Sequence, residues 1–279
     1  MRIAFADLDD TFLAPDKSIP KRNLEALDRM AARGLEFVPC TGRPLVGVPQ
    51  VLLDHPSVGH VVGGGGAVVY ELGERAAGGA RPVRTIHRQL LGASRTLALY
   101  ERVKDLDITF DVFADDHVFS ERSRYDRLGL FDLDPAFLAA LRAMRTPVDI
   151  SVPQILEQAH DVQRVTIYWR DPADRALVEQ VVDADPSLVR VSSCPVNIEV
   201  TDAAATKGSA LVWLCGHLGI PVGESVAFGD SSNDVSMLEA AGDGVAMGNA
   251  TAEAMAASDH VCDPCGEAGV GRYLEALLG

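Results

Sequence analysis

The 279-residue sequence has little positive charge, few cysteines and no long apolar run. Lysine and arginine number 25 against 40 acidic residues, so the formal net charge is −15. Such an acidic chain is a poor general binder of nucleic acid and of anionic membranes. No stretch reaches the ~20 apolar residues of a membrane-spanning helix, and no secretory signal pattern is visible. We therefore expect a cytoplasmic protein without nucleic-acid or membrane partners, and no obligate protein partner is evident.

The five cysteines are odd in number and scattered, which is not the pattern of a disulfide framework. Cys262 and Cys265 form a single C-x-x-C pair, but a structural zinc site needs four ligands and no second pair accompanies it. The sequence also lacks the H-E-x-x-H motif of zinc enzymes and the G-x-S-x-G turn of serine hydrolases. Zinc chemistry and serine-hydrolase chemistry therefore have no support in the sequence.

What the sequence does contain is an alternation of strand-like and helical patterns. Residues 2–8 and 35–40 predict buried strands. The segment between them predicts a helix, with Ser18 as its N-cap and Gly34 as its stop. A strand–helix–strand unit of this length implies parallel strands, and the same rhythm returns after Thr206. The predicted fold class is α/β, with a Rossmann-like parallel sheet that carries helices on both faces.

The middle of the chain differs in character from its two ends. Residues 83–202 contain strand-like runs rich in valine, isoleucine, threonine and aromatic residues, separated by helical patterns. These about 120 residues suffice for a core of their own. We therefore predict a core domain made of residues 1–82 and 203–279, with residues 83–202 as an inserted α/β cap domain.

Acidic and polar residues follow three of the predicted core strands, and a lysine begins a core helix. Ligands of open parallel sheets bind beyond the carboxyl ends of the strands, so these side chains are expected to converge on one crevice. The residues so placed are Asp7, Asp9, Thr11, Thr41, Gly42, Arg43, Lys207, Asp230, Ser231, Asn233 and Asp234.

Clustered carboxylates repel one another unless a cation neutralises them. An all-oxygen ligand set favours Mg²⁺ over zinc, and Asp7 and Asp230 offer two carboxylates from two strands. Lys207 and the Thr41 hydroxyl are then suited to meet phosphate oxygens. A carboxylate such as Asp7 can attack phosphorus to form an aspartyl-phosphate. Asp9, two residues further on, can protonate the leaving oxygen and then deprotonate water.

The segments DLDDT, CTGR, TKG and GDSSND, in this order, resemble the four motifs of the haloacid dehalogenase superfamily. Together, TGRP, TKGSAL, GDSSNDVSML and GVAMGNA are similar to its Cof-type, sugar-phosphatase-like branch. The resemblance covers both core segments, while the middle section matches only in length and α/β character. It implies a Mg²⁺-dependent phosphatase that acts on a small phosphorylated metabolite, with the middle section as a cap that reads the leaving group.

The resemblance also implies roles for individual residues. Asp7 is the implied nucleophile, Asp9 the acid/base whose carbonyl also contacts the metal, and Lys207 the cation that steadies Asp7 and the phosphate. The implied catalytic residues are Asp7, Asp9 and Lys207. The implied phosphate ligands are Thr41, Gly42, Lys207 and Asn233. The implied metal site consists of Asp7, Asp9 and Asp230, supported by Asp234.

Two positions depart from the pattern of the branch. Asp10 stands where glycine is usual, which adds a negative charge at the entrance. Gly65 stands where asparagine is usual, so a side-chain contact near the phosphate or leaving group is missing. The role of Arg43 stays open between a structural and a catalytic one.

Two other functions are open at this point. One is a phosphosugar mutase of the same superfamily, in which the phosphoryl group returns to the sugar. The other is a phospho-accepting signalling module, although receiver domains are about half this length and lack a large insertion. The motifs do not identify the physiological substrate.

Overall fold

The structure is a computed structural model that describes residues 1–74, 81–115, 117–131, 133–192 and 196–279. Cys194 lies outside the described residues. The chain divides into two compact units, of which the first combines Met1–Arg88 with Ala205–Gly279 and the second is Gln89–Ala204. None of the described helices is both long enough and apolar enough to cross a bilayer.

The strands are short and occur in both units. In chain order they are β1 (Ile3–Ala6), β2 (Glu36–Pro39), β3 (His60–Gly63), β4 (Val68–Leu72), β5 (Val83–Arg88), β6 (Asp111–Ala114), β7 (His117–Glu121), β8 (Thr146–Val148), β9 (Val162–Tyr168), β10 (Leu188–Val191), β11 (Asn197–Asp202), β12 (Ser225–Gly229), β13 (Gly244–Ala246) and β14 (His260–Val261).

The α-helices lie between these strands and after the last of them. They are α1 (Lys21–Ala32), α2 (Gln50–Leu53), α3 (Ala93–Val103), α4 (Arg122–Asp126), α5 (Pro135–Met144), α6 (Val152–Gln158), α7 (Pro172–Asp183), α8 (Lys207–Leu218), α9 (Val235–Ala240), α10 (Ala252–Ala256) and α11 (Gly269–Leu278).

The first unit is built on a parallel sheet in the order β14-β13-β12-β1-β2. A parallel bridge between Cys40 and Val62 continues this sheet to β3. From β3 the chain turns back through antiparallel β4 and β5. The central strands β1, β12 and β2 run in the same direction, so the residues that follow them emerge at one edge of the sheet.

Helices cover both faces of this sheet. In β1, Ala4 and Ala6 join the apolar cluster that contains residues of α1 and α11. The alternate residues Ile3 and Phe5 join the cluster that contains residues of α8 and α9. Successive side chains of a strand point to opposite faces, so a strand with helices on both sides is apolar throughout. The predicted α/β fold class is confirmed.

The ends of α1 show one wrong and one correct detail of the sequence prediction. Ser18 does not cap the helix, because its hydroxyl donates to the Asp16 carboxylate at 2.6 Å, in a local turn that precedes Pro20. Gly34 follows the helix with a φ of +65°, a conformation that glycine adopts without strain.

The second unit contains a six-stranded mixed sheet in the order β10-β11-β9-β6-β7-β8. Neighbouring strands are antiparallel except for β7 and β8, which are parallel. Apolar residues of α3, α6 and α7 pack in one cluster with Val162, Val165 and Ile167 of β9. The unit therefore has a hydrophobic core of its own.

The boundaries of the second unit differ from the predicted 83–202. Residues 83–88 form β5 and pair with β4, so they belong to the first unit. At the other end the unit extends to Ala204. The sequence alone does not show whether residues 83–88 pair with the strand before them or with the strands that follow.

Candidate active site

Asp7 is the first residue after β1 and is buried. Its N–H donates to the Phe228 carbonyl of β12 at 3.0 Å, and its carbonyl accepts from the Phe12 N–H at 3.2 Å. The chain then makes a tight turn over Leu8–Phe12, in which Asp9 and Asp10 have non-helical backbone angles, so the backbone on both sides of Asp7 is fixed. The carboxylate is thereby held at the carboxyl edge of the parallel sheet.

Lys207 reaches Asp7 from the start of α8. The N-cap of this helix is Thr206, whose hydroxyl accepts from the Ser209 N–H at 3.0 Å. The Lys207 side chain is fully buried, and its ammonium donates to Asp7 Oδ1 at 2.6 Å and to Asp234 Oδ1 at 2.5 Å. Burial opposes the charge of Lys207, but the two carboxylates raise its pKa above its ordinary value. Lys207 is therefore cationic.

Asp234 holds the loop after β12 in place. Its Oδ2 accepts from the N–H groups of Asp230 and Ser231 at 3.0 and 3.1 Å, while its Oδ1 binds Lys207. A Cβ on Gly229 would lie 2.4 Å from the Asp234 Cβ, so only glycine fits there. One oxygen of Asp234 thus fixes the loop that carries Asp230, and the other holds Lys207.

Asp230 faces the segment that follows β1. Its Oδ1 accepts from the Thr11 hydroxyl at 2.8 Å, a contact between residues 219 positions apart. Asp7, Asp230 and Asp234 each present a carboxylate oxygen within 4.8 Å of the others. The structure therefore brings together the predicted residues Asp7, Thr11, Lys207, Asp230 and Asp234.

These side chains carry more negative than positive charge, with Lys207 facing three carboxylates. Burial raises the pKa of Asp7 to about 8, against the attraction of Lys207 and with repulsion from Asp234 and Asp230. Burial also raises the pKa of Asp230 to about 6, although the Thr11 hydrogen bond opposes the shift. The donor atoms are all oxygens, so the cluster fits a hard divalent cation such as Mg²⁺.

Asp9 is engaged by two cations. Its Oδ2 accepts from Arg43 Nε at 2.8 Å, its Oδ1 accepts from Arg43 Nη2 at 2.6 Å, and Lys17 Nζ lies 3.2 Å from Oδ1. Burial alone would raise the pKa of Asp9, but the hydrogen bonds and charges of Arg43 and Lys17 hold it below its ordinary value. Asp9 is therefore a carboxylate of fixed orientation.

Besides Lys207, the predicted phosphate ligands lie on the loops that follow β2 and β12. Thr41 is buried, and its hydroxyl accepts from the Arg43 N–H at 3.1 Å. Gly42 lies in the bend between Thr41 and Arg43. Asn233 is partly exposed, and its Oδ1 accepts from the Ser231 hydroxyl at 2.8 Å. Their role as phosphate ligands stays a prediction.

The two departures from the branch pattern both adopt positive φ angles. Asp10 has a φ of 60°, which explains why glycine is usual there, since glycine enters this region at no steric cost. Gly65 has a φ of 71°, and a Cβ on it would meet nothing within 4 Å. Gly66 is different, because its φ is 108° and a Cβ would lie 2.2 Å from the Thr206 carbonyl oxygen.

Sequence reasoning did not assign the contacts of Lys17 and Asn249, and it left Arg43 open. Asn249 donates to the Asp10 carbonyl and accepts from the Cys265 N–H, each at 2.8 Å, so it ties the loop after β1 to the C-terminal segment. The GVAMGNA segment contains Asn249 and was the available signal for it. Lys17 lies in no motif and had no such signal.

Comparison with known proteins identifies the family to which the chain belongs. The family model of the haloacid dehalogenase-like hydrolases matches residues 4–274. Over 303 residues, which cover all of both chains, the sequence is 27% identical to the phosphatase YwpJ of Bacillus subtilis (strain 168). It is 26% identical to the 5-amino-6-(5-phospho-D-ribitylamino)uracil phosphatase YwtE of the same organism, covering 100% of this chain and 98% of that one.

Solved structures agree on the fold. A haloacid dehalogenase-like hydrolase from B. subtilis superposes with a TM-score of 0.83 at 26% identity, covering 99% of this chain and 100% of that one. The subclass IIB sugar phosphatase BT4131 superposes with a TM-score of 0.79 at 20% identity, with 99% of each chain covered, and shows the shared fold.

The chain belongs to the haloacid dehalogenase-like hydrolases. Within that family it is a phosphatase-type enzyme, a phosphoric monoester hydrolase, as its full-length relatives and its fold indicate. The predicted resemblance to the Cof-type branch is confirmed.

Proposed function

We propose that this enzyme is a Mg²⁺-dependent phosphatase that hydrolyses a small phosphomonoester, such as a sugar phosphate, through an aspartyl-phosphate on Asp7. One observation supports this most: the Asp7 carboxylate is buried at the sheet edge, 2.6 Å from the Lys207 ammonium and beside the carboxylates of Asp230 and Asp234. Oriented carboxylates beside a fixed cation suit in-line attack on a phosphoryl group.

The reaction has two halves. Asp9, ionised in the free enzyme, first takes up a proton from solvent as the anionic substrate binds. Asp7 then attacks phosphorus, the bond from phosphorus to the leaving oxygen breaks, and that oxygen takes this proton from Asp9. In the second half Asp9 takes a proton from water, whose oxygen attacks the same phosphorus and releases phosphate, and Asp7 is a carboxylate again. Lys207 keeps the Asp7 oxygen in place and offsets charge on the transferred group.

The metal ligands would be Asp7, the carbonyl of Asp9 and Asp230, while Asp234 supports the loop that carries Asp230. When bound, Mg²⁺ supplies the positive charge that lets an anionic phosphate enter a cluster of carboxylates. Thr41, Gly42 and Asn233 would bind phosphate oxygens. Rate gains on phosphomonoester hydrolysis reach up to ~10²¹-fold, so most of the effect must be electrostatic and positional.

The second unit would act as the cap that selects the leaving group. Among its described residues, two buried polar atoms have no hydrogen-bond partner: Arg164 Nε and Thr166 Oγ1. Buried polar groups are normally satisfied, so unsatisfied ones suit a ligand that brings its own polar atoms. A leaving group rich in hydroxyls, as in a sugar, has this chemistry.

The test is a screen of phosphorylated metabolites with Mg²⁺, measuring phosphate release for the wild type and for Asp7→Asn. We expect release from at least one small phosphomonoester, its loss in excess chelator, and its loss in Asp7→Asn. Activity that survives chelation and dialysis would contradict the metal assignment. Conversion of a sugar phosphate into its isomer without phosphate release would show the mutase outcome. A stable phosphoenzyme that does not turn over would show the signalling outcome.

A further inference from the structure

Arg43 binds both oxygens of the Asp9 carboxylate. Its Nε donates to Oδ2 at 2.8 Å and its Nη2 donates to Oδ1 at 2.6 Å. Two parallel hydrogen bonds from a planar guanidinium fix both the distance and the plane of a carboxylate, which a single bond does not.

Arg43 is itself held firmly. Its third nitrogen, Nη1, donates to the Gly47 carbonyl at 2.8 Å, its N–H donates to the Thr41 hydroxyl, and its carbonyl accepts from the Gly64 N–H at 3.2 Å. A Cβ on Gly47 would lie 3.3 Å from the Arg43 Cβ, so this part of the loop packs closely against the side chain. The orientation of Asp9 is therefore set by a rigid loop.

The contacts of Arg43 and Lys17 leave one acceptor site of the Asp9 carboxylate open for proton transfer. An ionised carboxylate offers about four acceptor sites. Arg43 occupies two of them and Lys17, 3.2 Å from Oδ1, occupies a third. About one site remains, which suffices for a single proton exchange with a leaving oxygen or a water molecule.

Fold stability alone does not account for this arrangement. The Arg43 side chain is 27% exposed and the Asp9 side chain 39% exposed, so solvent screens this pair and it contributes less to stability than a fully buried pair would. The geometry instead constrains the one side chain on which proton transfer depends.

We propose that Arg43 is a positioning residue that holds the Asp9 carboxylate in the orientation from which it exchanges protons with the leaving oxygen and with water. This inference rests on the proposed phosphatase function and on the acid/base role of Asp9. The Arg43 side chain forms no hydrogen bond with Asp7 or Lys207, and the Arg43 N–H that binds Thr41 is kept in any side-chain variant, so the loss of the side chain should act mainly through Asp9.

Two esters of similar shape separate proton transfer from the rest of the chemistry. Benzyl phosphate loses an alkoxide, which needs a proton, whereas p-nitrophenyl phosphate loses a stable anion, which does not. The parameter kcat/KM reports the steps up to leaving-group release, so it isolates the first half of the reaction.

The experiment measures kcat/KM for both esters with Mg²⁺ in the wild type, Arg43→Met and Arg43→Lys. General acid catalysis contributes 10²–10⁴-fold, and misplacing the acid forfeits part of that. We therefore expect Arg43→Met to lose about tenfold or more with benzyl phosphate and less than about threefold with p-nitrophenyl phosphate. Arg43→Lys keeps the positive charge but not the two parallel hydrogen bonds, so its kcat/KM with benzyl phosphate should lie between those of the wild type and Arg43→Met.

Arg81→Met is the matched control. The Arg81 guanidinium binds backbone carbonyls of Val58, Leu72 and Gly73, so this arginine also anchors a loop of the first unit. Its loss should lower the thermal unfolding midpoint and leave the ratio of the two kcat/KM values as in the wild type.

An Arg43→Met variant with equal losses on both esters, or with increased activity, would contradict the proposal. Should Arg43→Met fail to fold, the same ratio in Arg43→Lys decides, and an unchanged ratio contradicts it. If the wild type hydrolyses no phosphomonoester, the proposed function is wrong and this inference falls with it. If the wild type hydrolyses both esters and the Arg43 variants keep the wild-type ratio of the two kcat/KM values, the proposed role of Arg43 is wrong and the proposed function still stands.

Discussion

The two units of the protein bury charge in different ways. In the first unit, the Lys207 ammonium pairs with the carboxylates of Asp7 and Asp234, and the Asp230 carboxylate lies in the same cluster. If all three are ionised, the cluster carries an excess of two negative charges. Such an excess within buried surroundings is costly unless a ligand neutralises it.

In the second unit, the described buried charges are paired. Arg145 Nη2 lies 2.6 Å from Asp111 Oδ2, and both side chains are only 2% exposed. Asp111 also accepts from the Ser120 hydroxyl at 2.5 Å. Arg164 forms an ion pair with Glu199. Each charge here has its counter-charge within the unit.

The contrast shows that charge balance, more than burial, separates a reactive site from a structural ion pair. Perturbed carboxylates mark functional sites only in a statistical sense, because structural networks perturb pKa values too. Here the raised pKa values of Asp7 and Asp230 coincide with unbalanced charge. That combination points to the first unit as the site of chemistry.

The largest expected effect is on activity in the first unit. Asp7→Asn removes the nucleophile, since an amide does not attack phosphorus, and should lower kcat/KM by at least about 10³-fold. The thermal unfolding midpoint should not fall, because the change removes repulsion from the cluster. A variant that keeps more than about a tenth of wild-type kcat/KM, a loss below ~1.4 kcal/mol, would contradict the role of Asp7.

The second prediction concerns stability in the second unit. Arg145→Met leaves Asp111 buried without its counter-charge, which should cost about 3–5 kcal/mol. Denaturant unfolding measures this loss, and the double variant with Asp111→Asn should recover part of it. The folded Arg145→Met protein should retain its kcat/KM on p-nitrophenyl phosphate. A stable variant with lost activity would instead place Arg145 in the reaction.

The third prediction uses pH to test the excess charge. The pKa values of Asp7 and Asp230, about 8 and about 6, lie above the ordinary value of about 3.9 for an unfolded chain. The folded protein therefore holds protons that the unfolded chain has lost, so its stability in chelator falls as pH rises through these two values. Mg²⁺ should raise the unfolding midpoint more at pH 8 than at pH 5.

Asp230→Asn is the control for this pH dependence, and it should flatten the fall in stability with pH because one of the titrating groups is gone. Equal stabilisation by Mg²⁺ at both pH values in the wild type would show that the carboxylates do not hold the metal.

The smallest effects are expected at the two unusual backbone positions. Asp10→Gly relieves a residue at φ 60°, and Gly65→Asn adds a side chain that tolerates φ 71° and has open space. Each should change the free energy of unfolding by no more than about 1 kcal/mol. Gly66→Ala is the contrast, because its Cβ meets the Thr206 carbonyl oxygen at 2.2 Å and must displace backbone. Equal stabilities of the Gly65 and Gly66 variants would contradict this account.

The sequence was sufficient to predict the parallel core and much of its polar edge. The apolar run before Asp7 and the run before Asp230 become β1 and β12, which pair directly, so their ends meet as predicted. This works because both strands are buried throughout and both are followed by motif residues.

The contacts that could not be predicted from the sequence depend on long-range geometry. The two hydrogen bonds from Arg43 to Asp9 join segments 34 positions apart that no local pattern links. The pair of Asp111 and Arg145 is likewise invisible in the sequence, since each residue alone resembles a solvated surface charge.

The most direct test of the central claim is to locate the phosphoryl group during turnover. The Asp9→Asn variant should accept a phosphoryl group from p-nitrophenyl phosphate, whose leaving group needs no proton, and should hydrolyse the phosphoenzyme slowly. Acid quenching followed by peptide mass spectrometry should then find one phosphoryl group on the peptide that contains Asp7, and none in the Asp7→Asn, Asp9→Asn double variant. Phosphate release without any phosphorylated peptide, or with the phosphoryl group on another residue, would contradict the account.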